Sequence, residues 1–220
     1  MISNQENKTI HSMNRKQPSH VNRKASLWGR LGGLLLLSTL LACSEADDTV
    51  SDYADWQERN DEWFAKEYAH VYSMAAGGRT DYALFCGYQK GDSTLTAHDV
   101  ADYVLVRRID SLATPVEEYP LFSDSVKIHY AGRLIPTVSS PAGYLFDSSF
   151  SDTFDPEVAK PKKFAMNSVV SGFSTALQHM RRGDHWQVIV PYALGYGENA
   201  RSDIPAYSTL VFDVRLEDFW

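Results

Sequence analysis

The reactive side chains of this chain do not follow the spacing of a common enzyme that uses a nucleophile, a metal ion or a bound nucleotide. There is no G-x-S-x-G elbow and no P-loop, and Gly195-Tyr-Gly197 has too few glycines for a dinucleotide fingerprint. The seven histidines are scattered, and the spacing of His179 and His185 is more typical of surface residues than of metal ligands. Any catalysis would therefore have to work without a metal ion and without a covalent intermediate.

Length and composition exclude several classes of protein. The 220 residues fit one medium domain or two small ones, and 44% hydrophobic residues are enough for a globular core. Two cysteines cannot form a disulfide-dense scaffold or a four-thiolate zinc site. The net charge of −7, from 21 basic and 28 acidic residues, disfavours nucleic acid as a partner, because phosphate binding needs clustered Lys and Arg.

The charge is divided unevenly along the chain. Residues 1–42 contain six basic residues and one acid, whereas residues 43–220 contain 15 basic and 27 acidic residues. The basic leader ends in twelve apolar or small residues, 31–42, which are too few for a membrane-spanning helix and typical of a signal peptide. We therefore expect residues 1–42 to be a signal peptide, with Met13 as an alternative start, and the mature protein to leave the cytoplasm.

The end of this leader, Leu40-Leu-Ala-Cys43, resembles a bacterial lipobox, in which the cysteine is acylated and the leader is cut before it. Because two or three acyl chains anchor a protein stably, this interpretation predicts a membrane anchor at Cys43 and an acidic tether over 43–50. It also predicts a location in the bacterial cell envelope, periplasmic or at the outer membrane or surface. The alternative is a secretory signal with a chance cysteine.

If Cys43 is acylated, Cys86 has no cysteine to pair with. We interpret it as a small buried residue rather than a reactive thiol.

A helix is predicted after the tether. Thr49-Val-Ser-Asp52 matches a capping box and Gly77-Gly78 stops the pattern, so a helix of about 25 residues is expected in an N-terminal helical extension over 51–101. Its aromatic stripe could pack on its own domain or form a dimer seam. The apolar positions that define the helix are Tyr53, Trp56, Trp63, Phe64, Val71, Tyr72 and Ala75.

From residue 102 onwards apolar and polar residues alternate, as in antiparallel strands with one buried face. This alternation predicts strands at 103–108, 126–130, 186–190 and 210–216. One short helix is predicted between them, with Gly183 just beyond its end, from the helical spacing of Phe173, Ala176, Leu177 and Met180. The predicted class is therefore α+β, an antiparallel sheet packed on a helix.

Five ordered motifs in this region resemble those of FKBP-type peptidyl-prolyl cis-trans isomerases. They are HYAGRL at 129–134, FDSS at 146–149, VVSGFSTALQHMRRG at 169–183, LGYG at 194–197 and IPAYSTLVFD at 204–213. The resemblance runs from about Tyr103 to Leu216 and implies an FKBP-like curved antiparallel sheet wrapped on one short helix, in an isomerase domain over 102–220. It implies no cofactor and no metal. The implied partners are proline-containing polypeptides that fold outside the cytoplasm, and macrolide ligands of the family.

The implied reaction needs no nucleophile, because rotation about an X-Pro bond breaks no covalent bond. Its barrier of about 20 kcal/mol arises because amide resonance is lost midway. A dry aromatic pocket that prefers the twisted amide, with a few fixed donors for its carbonyl, can lower this barrier.

The resemblance also implies which residues form such a pocket. Phe173 would be the floor, Asp147 would polarise the bound amide or orient its neighbours, and the Tyr196 hydroxyl would donate to a peptide carbonyl. A further donor would be the backbone N–H of Val170 or Ile204. The remaining wall and substrate-binding residues would be Tyr130, Phe146, Val169, Val170, Ile204, Leu210 and Phe212. The alternative for these aromatic residues is an ordinary packed core, with FDSS as a strand that ends in an Asx turn.

The sequence departs from the family pattern in three places that bear on rate and substrate preference. Phe173 stands where many members have Trp, which implies a slightly larger pocket. The segments on either side of Phe146 are longer than in the minimal domain, and an Arg and a Phe often found between Phe146 and Phe164 have no clear equivalents. The polar loop 198–203 lacks the usual Gly/Pro pattern, and Ala206 replaces a common Pro. The alternatives to an active isomerase are a binding module or holdase without turnover, and a structural envelope lipoprotein.

Overall fold

The computed structural model describes residues 51–91, 98–111, 118–151 and 153–220. The predicted signal peptide over 1–42, the anchor Cys43, the tether over 43–50 and Thr49 of the predicted capping box lie outside these residues. Within the described part of the chain, no helix is both long and apolar enough to cross a membrane.

The described residues form one antiparallel sheet of seven strands. These are β1 (Tyr82–Cys86), β2 (Tyr103–Asp110), β3 (Ser125–Arg133), β4 (Leu145–Ser148), β5 (Lys162–Ala165), β6 (His185–Val190) and β7 (Leu210–Phe219). The strand order is β1-β2-β6-β7-β3-β4, and β5 pairs with the first half of β3. The four strands predicted from alternation are β2, β3, β6 and β7. The strand β1 is a continuous apolar run without alternation, and β4 and β5 have only four residues each, so alternation identifies none of the three.

The two faces of the sheet are covered by different helices. The inner face packs on α2 (Ser171–Leu177), whose residues 172–177 are all buried. A Cβ at Gly172 would lie 2.4 Å from Val190 Cγ1, so this close approach of α2 to β6 requires glycine. The predicted helix around Phe173 to Met180 is thus confirmed in its first part, and buried Met180 follows its end.

The outer face of the sheet is covered at one end by α1 (Trp56–Ala76). Phe64 and Val71 of α1 pack there against Leu105 of β2 and Ile189 of β6. The Trp, Phe and Val residues of the predicted stripe therefore pack on their own domain, whereas its two tyrosines, Tyr53 and Tyr72, are 40% and 57% exposed. Because β1 lies within residues 51–101, that segment contributes a strand to the sheet as well as a helix.

The start of α1 differs from the prediction. The helix has 21 residues instead of about 25, and Asp55 precedes it in the left-handed region with φ of 51°. Asp52 accepts hydrogen bonds from Thr137 Oγ1 (2.9 Å) and from Ser139 Oγ, so the segment before α1 is tied to a distant loop. The predicted stop is confirmed, since α1 ends at Ala76 and Gly78 has φ of 85°.

The first turns of α1 are also joined to the chain just before β7. Trp56 Nε1 donates to Ser208 Oγ (2.9 Å), and the N–H of Thr209 donates to Asn60 Oδ1 (2.8 Å). Asn60 Nδ2 in turn donates to the carbonyl oxygen of Trp56 (2.7 Å). The Asn60 side chain is fully buried, and these bonds give its amide nitrogen and its amide oxygen one partner each.

Candidate active site

A β-bulge and a glycine place aromatic rings on the inner face beside α2. In β4, Asp147 pairs with Gly132 and Leu145 with Arg133, so Phe146 is the extra residue of the bulge. A Cβ at Gly132 would lie 2.6 Å from the Phe146 ring and 3.0 Å from the Phe212 ring. The missing side chain of Gly132 therefore leaves room for both rings over the sheet.

These rings and their neighbours line a cavity of about 170 Å³. The Phe173 ring from α2 stacks on Phe212 with centroids 4.3 Å apart, and Phe146 meets Phe212 edge-on at 5.8 Å. Tyr130 approaches Phe173 at 6.5 Å. The residues that line the cavity are Tyr130, Phe146, Asp147, Phe164, Ser168, Val169, Val170, Phe173, Tyr196 and Phe212. Eight of the ten residues named from the sequence are therefore brought together.

A hydrogen-bonded group of three side chains lies at one wall of the cavity. The Tyr130 hydroxyl donates to Asp147 Oδ2. Lys162 Nζ, from β5, donates to Asp147 Oδ1 (2.8 Å) and to the Tyr130 hydroxyl oxygen (3.2 Å), and it also lies 5.2 Å from the centre of the Tyr130 ring. Asp147 thus orients Tyr130, and Lys162 holds both.

The protonation states of this group follow from its contacts. Burial, and then the hydrogen bond to Asp147, raise the pKa of Tyr130 far above its ordinary value, so its hydroxyl stays a donor. Burial alone would raise the pKa of Asp147. The hydrogen bonds from Lys162 and Tyr130 outweigh burial and hold the pKa of this carboxyl below its usual range. At neutral pH the wall therefore presents a carboxylate, an ammonium group and a neutral phenol.

The two predicted residues that do not line the cavity are Ile204 and Leu210. Leu210 has no exposed surface and packs in the core, as expected for an inner-face residue of β7 that pairs with Val190. Ile204 is 7% exposed, and its N–H donates to the carbonyl oxygen of Arg201 (2.7 Å). Of the two predicted backbone donors, Val170 is the one at the cavity, immediately before the first residue of α2.

Three residues of the site were missed from the sequence. Phe164 lines the cavity and meets the Tyr130 ring at 5.6 Å, Ser168 lies beside it, and Lys162 joins the Tyr130–Asp147 pair. The only available signal was the pattern Lys162-Lys-Phe164, which is too short to predict a strand. The Asx turn of the FDSS alternative is not found, because Asp147 Oδ1 accepts from the N–H of the next residue, Ser148 (2.8 Å). The turn that follows β4 is instead made by Ser148, whose Oγ accepts from the N–H of Phe150 (3.1 Å).

In the part of the chain that the structure describes, His179 and Cys86 do not belong to a group of this kind. Among the described residues, no three His, Cys, Asp or Glu side chains are placed to hold a metal ion. His179 is exposed and its ring stacks on Phe85 at 3.9 Å. Cys86 is half-buried rather than buried, with Sγ 3.6 Å from His98 Nδ1. Burial raises the pKa of the Cys86 thiol, which lowers its reactivity at neutral pH.

Comparison with known proteins gives consistent results. Residues 117–217 match the sequence model of the FKBP-type peptidyl-prolyl cis-trans isomerases. The macrophage infectivity potentiator of Trypanosoma cruzi is 42% identical over 98 residues, which cover 44% of each chain. The FKBP-type 22 kDa peptidyl-prolyl cis-trans isomerase of Escherichia coli is 39% identical over 98 residues, which cover 44% of this chain and 42% of that protein. The chain thus spans less than half the length of either relative.

A solved structure supports the fold. The peptidyl-prolyl cis-trans isomerase of Pseudomonas syringae superposes with a TM-score of 0.51 at 22% identity, over 76% of this chain and 95% of that one. Aromatic rings around α2, the β4 bulge and the sequence match all fall within the same segment. That segment, residues 117–217, belongs to the FKBP-type peptidyl-prolyl cis-trans isomerase family.

Proposed function

We propose that this protein is a peptidyl-prolyl cis-trans isomerase that accelerates X-Pro rotation in proteins folding outside the cytoplasm. The observation that supports it most is the aromatic cavity over Phe173, closed on one side by the Tyr130–Asp147–Lys162 group. A proline ring fits an apolar floor of this kind, and a neighbouring carbonyl would meet donors at the rim. No bond to the substrate has to form or break.

Each residue of the cavity would have its own role in binding or turning the amide. Phe173, Phe146 and Phe212 would hold the proline ring in a dry environment, which disfavours the charge-separated planar amide. The Tyr196 hydroxyl and the N–H of Val170 would donate hydrogen bonds to the peptide carbonyl oxygens as the amide turns. Asp147 would act by orienting Tyr130, because both of its oxygens already accept hydrogen bonds from Tyr130 and Lys162. Val169 would complete the wall.

An isomerisation assay on a proline peptide tests this proposal, since the uncatalysed reaction takes tens of seconds. Removing one neutral hydrogen bond in Tyr196→Phe should lower the rate about two- to tenfold. Asp147→Ala and Phe212→Ala should lower it further while circular dichroism still shows folded protein. Tyr72→Phe makes the same chemical change at an exposed position of α1, away from the cavity, and should leave the rate unchanged. A wild-type rate equal to that in buffer, with an intact fold, would contradict the proposal and leave a binding module.

We further propose that the protein acts from a membrane anchor at Cys43 in the bacterial envelope. The support is the sequence alone: a basic leader, a short apolar run and Leu-Ala-Cys at its end. Mass spectrometry of the mature protein should find an acylated Cys43 at the amino terminus, and Cys43→Ser should move the protein from the membrane fraction to the soluble fraction. An unmodified Cys43, or a variant that stays in the membrane fraction, would exclude this anchor.

A further inference from the structure

A row of polar side chains crosses the outer face of the sheet, on the side opposite the aromatic cavity. In the strand register, Asp110 pairs with His185, His185 with Arg215, and Arg215 with His129. The row therefore crosses four neighbouring strands, β2, β6, β7 and β3. The bulge after Arg108 in β2 is what brings Asp110 opposite His185. Since cross-strand partners lie about 5 Å apart at Cβ, the four side chains form one continuous surface.

Residues 154–161, which precede β5, fold over this row and make it a cavity of about 550 Å³. The Phe154 ring lies 5.0 Å from the His129 ring and 4.2 Å from the guanidinium carbon of Arg215. Pro156 and Pro161 add apolar wall. The size is within the range of about 300 to 1,000 Å³ that small-ligand sites occupy.

Two polar atoms in the row are buried without a hydrogen-bond partner: His129 Nδ1 and Arg215 Nη1. His129 is 9% exposed, and its other nitrogen, Nε2, lies 3.3 Å from Glu217 Oε2. Arg215 Nη1 lies 3.5 Å from Asp213 Oδ1, which is an ion pair at a distance too long for a good hydrogen bond. Buried groups of this kind normally have partners, so the pair marks a place where a ligand would complete the bonding.

The chemistry of the two atoms is complementary. Burial lowers the pKa of His129, so its ring is neutral at pH 7, and the N–H on Nε2 faces the Glu217 carboxylate. Nδ1 is then an acceptor, whereas Arg215 can only donate. A ligand must therefore offer a donor and an acceptor side by side. The carboxylates of Asp110 and Glu217 at the wall disfavour an anion.

We propose that this outer pocket is a second polypeptide-binding site, which binds a neutral amide: its N–H donates to His129 and its carbonyl accepts from Arg215. An apolar side chain of the ligand takes the place of Phe154, which covers both atoms in the present conformation. Binding therefore requires Phe154 to swing aside, and the backbone N–H groups of Val158 and Ala159 bond to Asp155 within the same segment rather than to the sheet. The site is separate from the proposed isomerase pocket, and its occupant needs no proline.

Titration of the full chain with the neutral, proline-free peptide acetyl-Ala-Leu-Ala-amide tests this proposal by nuclear magnetic resonance. Because Nδ1 would accept a hydrogen bond, the ring nitrogen resonances of His129 should shift on binding. Arg215→Met should weaken binding by about tenfold or more, the effect of one hydrogen bond to a charged group. Arg107→Met, an exposed arginine on β2, is the matched control and should bind as the wild type does.

Three results would overturn the proposal. The first is the absence of any His129 shift in the wild type at saturating peptide, which is decisive even if Arg215→Met does not fold. The second is an equal shift with acetate or phosphate at the same concentration, which would mean an anion site. The third is unchanged affinity in folded Arg215→Met. Phe173→Leu, in the aromatic cavity, should alter isomerisation and leave this affinity unchanged, so that failure of one proposal is distinguishable from failure of the other.

Discussion

At the scale of single residues, Lys162 is a residue of the proposed active site that the sequence did not predict. It bonds both Asp147 and Tyr130, and both of the charged side chains are partly open to solvent. Replacing Lys162 with Met removes the charge while keeping most of the length. The Tyr130–Asp147 pair then loses the contact that restrains it.

We predict that Lys162→Met lowers the rate of proline-peptide isomerisation by about two- to tenfold, the usual effect of one lost hydrogen bond. Lys163→Met is the matched control, because Lys163 is the next residue and lies over the Trp220 ring, 5.2 Å from its centre. Its rate should equal that of the wild type. Equal rates for both variants would show that Lys162 does not position the pair.

The low pKa of Asp147 leads to a second prediction at this scale. A carboxyl whose pKa is lowered by folding stabilises the folded state above its unfolded pKa of about 4, and this contribution is lost as the pH falls through the folded value. The difference in free energy of unfolding between wild type and Asp147→Asn should therefore be constant from about pH 5 to 8 and shrink below about pH 4. Urea unfolding across this range measures it. A difference that instead changes between pH 5 and 8 would contradict the assigned pKa.

The sequence could predict most of the aromatic residues of the site, but not Phe164 or the ion pair at its wall. Tyr130 and Phe212 lie on long alternating strands, so their common face follows from the period of two. Lys162 lies on a four-residue strand after a long insertion, and only pairing of β5 with β3 places it beside Asp147. The resemblance implies a substrate-binding role for Leu210, whereas the alternation of β7 places it on the inner face, where it is fully buried.

At the scale of elements, the attachment of α1 rests on few polar contacts. Asn60 is the acceptor for the buried N–H of Thr209, just before β7. Asn60→Ala leaves that N–H without a partner and should lower the free energy of unfolding by about 1 to 3 kcal/mol. Urea denaturation checks this, with exposed Glu62→Ala as the control on the same helix, expected within about 0.5 kcal/mol of wild type. A similar stability for both variants would mean that the hydrogen bonds of Asn60 do not help to hold α1 on the sheet.

The helices were predicted more reliably than their boundaries. The aromatic period and Gly77-Gly78 identify α1 and its end, because both signals are local. Its start could not be predicted, since Asp52 bonds to Thr137 and Ser139, which are remote in sequence. The strand β1 is likewise defined by its pairing with β2 rather than by its own five residues.

At the scale of the whole molecule, the helix α1 and the segment over residues 117–217 share one core. Trp56 of α1 belongs to the same cluster of buried residues as Phe173 and Trp186, and β1 pairs directly with β2. We therefore predict a single unfolding transition, with tryptophan fluorescence and far-ultraviolet circular dichroism coincident across a urea titration. A separate early transition of the helical signal would show instead that residues 51–101 fold on their own.

The strands β4 and β5 both pair with β3, so the segment that connects them can be lengthened. Strand β4 ends where Ser148 pairs with Ala131, and β5 begins where Lys162 pairs with Ile128. Both ends of the connecting segment are thus fixed to neighbouring positions of one strand, whatever the length between them. Because each doubling of a flexible loop costs only about 0.6 kcal/mol, an epitope or a reporter domain inserted between Asp155 and Val158 should leave the sheet register intact.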